Sequence, residues 1–430
     1  MIKFLDKIFN INQNQSSVKK EFIAAFTTFL TMCYIIFVNP LIVSSAGMDI
    51  NYLFISTCLI TAFASIFIGF FANVPLAIAP GMGLNALFAY GIVMQMGYSY
   101  KVALLLTSLS GILVIIFSML FIGKKGNLIP ENIKHGVTAG IGMFVIMIGL
   151  ENAKIIVDHP ATLVTLGDLS NPQSVLIFVC FIMLIVMDIK KIVFAPILVM
   201  GILISFAYFN GYSNATSDIS SLNIKNIFFQ FDNNFNYFDV GIMVIIVSIF
   251  IASYFDSFGT FISYSYFANK GSIDNKKLKK SLIANGFAGI LAGIFGTSPT
   301  ALFLESNSGV KAGGRTGLTA IFIGLMFLCC LLLLPLLKYI PIFVASPMLM
   351  FVGFSMLKSA KNIDFEDVTE FVPAVAALIF MAITYSILNG IALAFVMYGV
   401  LKIVTLRYKE LSFMNVVFFI MFSFYLFVMR

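Results

Sequence analysis

The sequence predicts an all-α polytopic membrane protein with about 14 transmembrane segments, arranged as two inverted halves. Of the 430 residues, 60% are hydrophobic and 10% are charged, whereas soluble domains carry about 25% charged residues. Apolar runs near the ~20 residues that a helix needs to cross a bilayer follow one another along the chain. Two of these runs, residues 72–91 and 293–317, contain Gly and Pro, which interrupt helices.

The first half begins with residues 1–21, which lack the apolar core and the cleavage site of a signal peptide. We expect them to form a cytoplasmic tail. The fifth span has a Gly-rich start, HGVTAGIGMF, which favours close helix packing. The spans of this half are predicted near residues 22–46, 52–71, 72–91, 102–122 and 136–150, with a sixth ending at Asp188 and a seventh at 192–209.

The second half follows a long polar loop, residues 210–238. Its spans are predicted near residues 240–267, then a ninth that leads into 293–317, then 318–337, 342–357, 371–388, 390–406 and 413–428. The last run is apolar enough to cross the membrane or to lie at its interface, so residues 412–430 leave the total at 14 or 15.

The loops predict the orientation of the chain. The loop NKGSIDNKKLKK holds five Lys and one Asp, and Lys residues also mark 124–134, so both loops should be cytoplasmic. The loop at 210–238 carries a single Lys and should be external. This arrangement places the N-terminus on the cytoplasmic side. We expect the protein to lie in the cytoplasmic (inner) membrane.

The two interrupted segments are the sequence feature most typical of a transporter. Freed backbone groups at membrane depth must be buried in protein or line a wet cavity. The segments occupy corresponding places in the two halves, and PGMGLNALFAYG and GTSPTALFLESNSG share a small-polar-ALF pattern. Paired broken segments in opposed halves indicate a binding site near mid-membrane. The alternative is a pair of re-entrant loops that only shape the fold.

Two acids, Asp256 and Glu305, lie deep in predicted spans, where a carboxyl group usually binds a ligand or carries a proton. The alternative is a hydrogen bond between helices. Asn85 offers an amide donor and acceptor together, which suits a planar heterocycle, although it could equally be a turn or cap residue. Broken-helix N-termini present free N–H groups. The further candidates for substrate binding are Gly83, Thr297, Ser298, Thr300 and, as a stacking ring, Phe255.

Other chemistry is not indicated. The five cysteines lie in apolar runs without metal-ligand spacing, and no basic patch with interleaved aromatic residues suggests nucleic-acid binding. We therefore expect no metal, no nucleic acid and no catalytic residues. Arg315 most simply marks the cytoplasmic edge, with a pairing or gating role left open.

Several long motifs resemble one known family. PGMGLNALFAYG, YFDSFGT and GTSPTALFLESNSGVKAGGRTGLTA resemble the AzgA-like purine permeases, a branch of the nucleobase–cation symporters. FTTFLTMCYIIFVNP, HPATLVTLGDL and TYSILNGIA also fit that branch. The resemblance extends over nearly the whole chain.

The resemblance implies two inverted seven-segment repeats, with interrupted third and tenth segments that hold the substrate between them. It implies a core domain (residues 22–125 and 239–338) that moves against a gate domain (126–209 and 339–430). Asp256 and Glu305 take the places of the family's eighth- and tenth-segment acids, which bind the base and take part in proton coupling. Thr260 stands where the uracil-permease branch has a His, which argues against that branch.

The resulting expectation is a proton-coupled importer of purine bases, hypoxanthine and guanine foremost and adenine as a further candidate, with no cofactor other than the coupling proton. A homodimer stays open. The competing interpretations are a uracil/xanthine-type or sodium-coupled permease, an anion channel or exchanger on the same fold, and a membrane enzyme.

Overall fold

A computed structural model describes residues 2–122, 130–212, 228–232, 240–269 and 271–428. Most of the predicted external loop at 210–238, and much of the predicted cytoplasmic loop at 124–134, lie outside the described residues.

The described chain is mostly helical. The helices are α1 (Ile2–Phe9), α2 (Val18–Met32), α3 (Ile35–Val43), α4 (Ile50–Ala72), α5 (Met82–Ala86), α6 (Tyr100–Phe121), α7 (Glu131–Asn152), α8 (Pro172–Ile189), α9 (Ala195–Phe209), α10 (Val240–Asn269), α11 (Asn275–Ile294), α12 (Ser306–Lys311), α13 (Gly317–Cys329), α14 (Ser346–Leu357), α15 (Val368–Ile383), α16 (Ile387–Val404) and α17 (Phe413–Val428). A π-helix, Leu87–Gln95, continues α5, and 3₁₀ turns follow α3, α13 and α14.

Within the described ranges, nine helical stretches are long and apolar enough to cross a bilayer, and four shorter apolar helices accompany them. The protein is therefore a multi-pass membrane protein, as its composition predicts. The last run, α17, lies antiparallel to α16: Phe395 packs on Phe418 and Phe422, and the Tyr425 hydroxyl lies 3.4 Å from Asn389 Oδ1.

Four short strands accompany the helices of the described chain. β1 (Ile78–Pro80) pairs antiparallel with β4 (Thr300–Leu302), and β2 (Ile156–His159) pairs antiparallel with β3 (Leu163–Leu166) in a hairpin between α7 and α8. β1 and β4 lie inside the two Gly/Pro-bearing segments, where neighbouring residues cannot continue a helix. The β2–β3 hairpin lies in the polar connection between the fifth and sixth predicted spans, where the sequence predicts no helix or strand.

Predicted boundaries also differ from the structure, as at the first and the fifth span. The first span is two helices, α2 and α3, which are joined by an irregular turn at Cys33 and Tyr34. The fifth begins at Glu131 instead of near residue 136, directly after Pro130, since proline is well suited to the start of a helix and an acid to its first turn.

Glycines allow several neighbouring helices to touch along their backbones. A Cβ atom placed on Gly142 of α7 would lie 2.6 Å from the carbonyl oxygen of Gly353 in α14, and the reverse distance is 2.5 Å. Gly111 of α6 and Gly286 of α11 face each other in the same reciprocal way. Such close approach is typical of helix packing in membranes, where small residues take the place of a hydrophobic driving force.

Candidate functional site

The centre of the molecule is the β1–β4 pair. Residues Ala79 and Ala301 lie opposite each other, Gly81 N–H donates to Pro299 O at 3.1 Å, and Phe303 N–H donates to Ala77 O at 3.0 Å. In an antiparallel pair these bonds alternate. The N–H and C=O groups of the intervening residues therefore point away from the partner strand and need other partners.

Hydroxyl groups of α10 satisfy the outer edge of β4. Ser253 Oγ donates to Thr300 O at 2.7 Å, Ser257 Oγ accepts from Leu302 N–H at 3.1 Å, and Thr260 Oγ1 donates to Leu302 O at 3.1 Å. The spacing of these three side chains places them on one helix face. Thr260 stands where the uracil branch has a His, and in this structure its hydroxyl binds the backbone of β4.

The outer edge of β1 is satisfied from α4 in a similar way. Ser65 Oγ lies 3.2 Å from Ile78 N and 3.3 Å from Ile78 O. The neighbouring strand residue is Pro80, which has no N–H group and so leaves no orphan donor on this edge. With both edges occupied by side chains, an open two-stranded sheet is tolerated at membrane depth.

Glu305 immediately precedes α12, three residues after the end of β4, and is partly exposed. The Tyr34 hydroxyl donates to its Oε1 at 2.7 Å, and the Ser308 hydroxyl donates to its main-chain carbonyl at 2.7 Å. The carboxyl group is thus held on one oxygen by a buried phenol, and its second oxygen remains available for another donor.

Asp256 lies on α10 between Ser253 and Thr260 and is also partly exposed. Its spacing from these residues places it on the helix face that contacts β4. Its carboxyl group is close enough to Glu305 for the two to interact electrostatically. The structure therefore brings together the two acids that the sequence singles out, on neighbouring elements.

A buried amide network lies on the other side of β4. Asn39 Nδ2 donates to Thr57 Oγ1 at 2.6 Å and to Thr297 Oγ1 at 3.0 Å. Ser298 Oγ lies 3.1 Å from Asn39 Oδ1 and 2.6 Å from Asn85 Oδ1. These contacts connect α3, α4, α5 and the residues that precede β4.

The side-chain amide nitrogen of Asn85 has only a weak hydrogen-bond partner. A serine hydroxyl has a single proton, so Ser298 can donate to one of the two amide oxygens at a time. The Nδ2 of Asn85 meets only the thioether of Met82 at 3.9 Å in the described chain, and a thioether is a weak acceptor. Of the two ends of this amide, Nδ2 is therefore the one that can exchange its partner for a ligand at little expense in hydrogen bonding.

The remaining candidates lie in tighter surroundings. A Cβ atom on Gly83 would collide with Ile141 of α7, so Gly83 marks a close helix contact. The Thr300 hydroxyl is 3.4 Å from the Asn285 carbonyl of α11, and Phe255 is buried with its ring edge-on to Tyr254. The structure thus brings Glu305, Asp256, Ser298 and Asn85 around the strand pair. The Thr300 hydroxyl faces α11 instead, and the Phe255 ring packs on Tyr254 of its own helix.

Three buried polar residues were not singled out from the sequence: Tyr34 and Asn39 at this centre, and Glu21 at the turn after α12. The first two lie in FTTFLTMCYIIFVNP, where an Asn within an apolar run could have been a signal. Glu21 is fully buried and accepts from Arg315 N–H, Thr316 N–H and the Thr319 hydroxyl.

Arg315 is part of the same turn. Its guanidinium donates to the carbonyls of Val310 and Gly314 at 2.7 and 2.8 Å. In the described residues it therefore caps the end of α12 and pairs with main-chain groups, whereas the sequence had left a pairing or gating role open.

The comparisons with known proteins give the family. The model of a permease family, Xan_ur_permease, matches residues 19–393. The adenine permease AdeP of Escherichia coli (strain K12) is 36% identical over 419 residues, which cover 95% of this chain and 92% of AdeP. The guanine/hypoxanthine permease PbuO of Bacillus subtilis (strain 168) is 35% identical over 437 residues, which cover 98% of this chain and 100% of PbuO.

Two solved structures share the fold. The transmembrane domain of the cyanobacterial bicarbonate transporter BicA has a TM-score of 0.61 and 16% identity, covering 87% of this chain and 97% of that one. The murine anion transporter Slc26a9, in an inward-facing state, has a TM-score of 0.65 and 10% identity, covering 94% and 72%. At these identities the similarity concerns the fold alone.

Proposed function

The chain belongs to this permease family, and on that basis we propose that it imports purine nucleobases by proton-coupled alternating access. Relatives named as an adenine permease and as guanine/hypoxanthine permeases resemble it over nearly the whole chain, which supports a purine base as the substrate class. Adenine, guanine and hypoxanthine all enter the proposal because the relatives named for them are similarly close.

The observation that carries the proposal is the position of Glu305 and Asp256 beside the β1–β4 pair. Purine bases present ring N–H donors next to acceptor atoms. The free oxygen of Glu305 can accept a ring N–H, and the amide of Asn85 can supply a donor or an acceptor to another edge. Asp256, next to Glu305 and partly exposed, is the proposed proton carrier.

We assign the chain 14 segments in two inverted repeats, with interrupted third and tenth segments and a core domain (22–125 and 239–338) that moves against a gate domain (126–209 and 339–430). Antiparallel pairing of β1 with β4 supports this assignment, because a two-fold axis would exchange the two strands. The reciprocal contact of Gly142 with Gly353 fits the same axis. The N-terminus and the loop at 270–280 would be cytoplasmic, in the inner membrane.

An anion transporter is the second candidate, because BicA and Slc26a9 share the fold. The site argues against it: two carboxyl groups near one another repel an inorganic anion. The relatives similar along the whole chain carry purine-base names.

Uptake of labelled adenine, guanine and hypoxanthine into a host without purine transport tests the proposal. We expect accumulation that rises as the external pH falls and that an uncoupler abolishes. Accumulation that follows a sodium gradient and ignores pH would reassign the coupling ion, and uptake of bicarbonate or chloride without any base would reassign the substrate.

Two amide variants test the site. Glu305→Gln removes the charge at similar size, and base binding should weaken about ten- to hundred-fold, since a hydrogen bond to a charged group contributes about 1.5–3 kcal/mol. Asp256→Asn should stop accumulation and leave exchange of base measurable. Asp274→Asn is the matched control: Asp274 caps α11 by accepting from Lys276 and Lys277 N–H groups, and Asn caps equally well. Parent-like accumulation by both site variants would place the site elsewhere.

A further inference from the structure

We propose that Tyr34 is the positioning residue for Glu305, and that its hydroxyl directs the second carboxyl oxygen toward the substrate. This inference rests on the proposed function, because it assumes that Glu305 binds the base. Neither the family resemblance nor the relatives' names assign a role to Tyr34.

The contact itself is well defined. Tyr34 is 2% exposed, and its hydroxyl donates to Glu305 Oε1 at 2.7 Å. A phenol hydroxyl in an apolar interior needs a partner, and a short bond to a carboxylate is among the stronger ones available. This bond takes one acceptor site of Oε1 and restricts the rotation of the carboxyl group, so in the described residues Oε2 is the oxygen that points free of the phenol toward a ligand.

The same segment also holds the other end of the site. Tyr34 contacts Glu305, three residues after the end of β4. Asn39, farther along the same segment in α3, binds Thr297 and Ser298, which precede β4. Ser298 in turn contacts Asn85. The segment from Tyr34 to Asn39 therefore fixes the distance between the proposed carboxylate and the proposed amide, which are the two groups that would bind opposite edges of one base.

The local backbone explains why Tyr34 can reach Glu305. Tyr34 belongs to the irregular turn between α2 and α3, where Ile36 N–H and Phe37 N–H donate three residues back, to Cys33 O and Tyr34 O. A tightened turn rotates the side chains that follow relative to a continuous α-helix. The Tyr34 hydroxyl and the Asn39 amide thus both contact the tenth-segment residues on either side of β4.

A purely structural role for Tyr34 is the competing explanation, and a double-mutant cycle separates the two. Equilibrium binding of labelled hypoxanthine and adenine is measured on the purified full chain for the parent, Tyr34→Phe, Glu305→Gln and the double variant, with melting curves to establish folding. Tyr34→Phe removes one hydroxyl and keeps the ring. We expect it to weaken binding about five- to ten-fold and to leave the melting temperature near that of the parent.

The cycle gives the decisive result. If Tyr34 acts through Glu305, adding Tyr34→Phe to Glu305→Gln should change binding less than two-fold. The carboxylate oxygen that Tyr34 directs toward the base is already lost in Glu305→Gln, although the glutamine oxygen still accepts from the phenol. Full additivity of the two effects, with Glu305→Gln itself impaired, would overturn the role of Tyr34 and leave the proposed function standing. Unchanged binding in Glu305→Gln would instead overturn the proposed function.

Two further variants complete the test. Glu305→Asp breaks the same contact from the other side, since it keeps the charge but withdraws the carboxyl group by about 1.5 Å. It should also weaken binding several-fold, and parent-like affinity in this variant would refute the positioning role even if Tyr34→Phe did not fold. Tyr254→Phe is the control: Tyr254 is a buried tyrosine of α10 whose ring packs on Phe117 and Phe258, and its loss of a hydroxyl should leave binding unchanged.

Discussion

Replacing Thr260 by Val tests whether side-chain hydroxyls hold the central strand pair. The substitution keeps a β-branched side chain of similar shape and removes the hydroxyl that donates to Leu302 O at 3.1 Å. Leu302 O points away from β1, so within the described structure this edge has no second strand to replace the lost donor. A buried carbonyl left without a partner costs about 1–3 kcal/mol.

We expect Thr260→Val to lower the free energy of unfolding in detergent by about 1–3 kcal/mol. Ser257→Ala removes the acceptor of Leu302 N–H at 3.1 Å and should have an effect of similar size. β4 ends three residues before Glu305, so a displaced strand should shift the carboxyl group. Both variants should therefore also weaken base binding. The measurements are thermal or denaturant unfolding of the purified protein, followed by equilibrium binding of a labelled purine.

Ser205→Ala is the matched control. The Ser205 hydroxyl donates to the Gly201 carbonyl within α9, a group that also takes part in the helix, so its loss should change stability by less than about 0.5 kcal/mol. Equal stability of Thr260→Val and Ser205→Ala would refute the account of how the strand edge is satisfied.

Three further outcomes are expected. Gly142→Leu should prevent α7 and α14 from packing, since even a Cβ there would lie 2.6 Å from Gly353 O, and recovery of a folded, monodisperse protein would contradict this. Asp367 immediately precedes α15 and lies outside the membrane spans. Hydrogen bonds lower its pKa to about 2, and the largest contribution comes from the Thr369 hydroxyl. A lowered pKa adds stability that is present above the ordinary value of 3.8 and is lost as the pH falls toward 2, so the difference in melting temperature between the parent and Asp367→Asn should shrink over that interval. Lys277→Cys, in a cysteine-free background, should react with an impermeant thiol reagent only from the cytoplasmic side, and labelling from outside would reverse the proposed orientation.

Sequence reasoning identified the centre of this molecule because the physical signals there are strong. Gly and Pro within apolar runs marked both segments that contain β1 and β4, and a carboxyl group at membrane depth stands out because burying it is costly. Asp256 and Glu305 were recognisable one residue at a time, without knowledge of their partners.

Tyr34 and Asn39 were not recognisable in this way. A tyrosine in an apolar run is common, and its importance here comes from Glu305, which lies 271 residues away along the chain. The β2–β3 hairpin was missed for a different reason: each strand has four residues, and a run that short leaves little periodicity to detect. Which residues meet across the two halves depends on tertiary packing that no local pattern encodes.

The β1–β4 ladder has an electrical consequence. Its bonds join main-chain groups of the two segments that lead to Asn85 and Glu305, so in any transport motion these segments should move as one body. Moving one elementary charge through the membrane potential involves about 2.3 kcal/mol per 100 mV. Hydrogen bonds from Ser253 and Thr260 to β4 attach α10, and with it Asp256, to the same body. A body that carries both carboxyl groups through that field does so most easily when they are neutral. Turnover under the proposed mechanism should therefore depend on voltage, and that dependence should lessen when Asp256 is replaced by Asn.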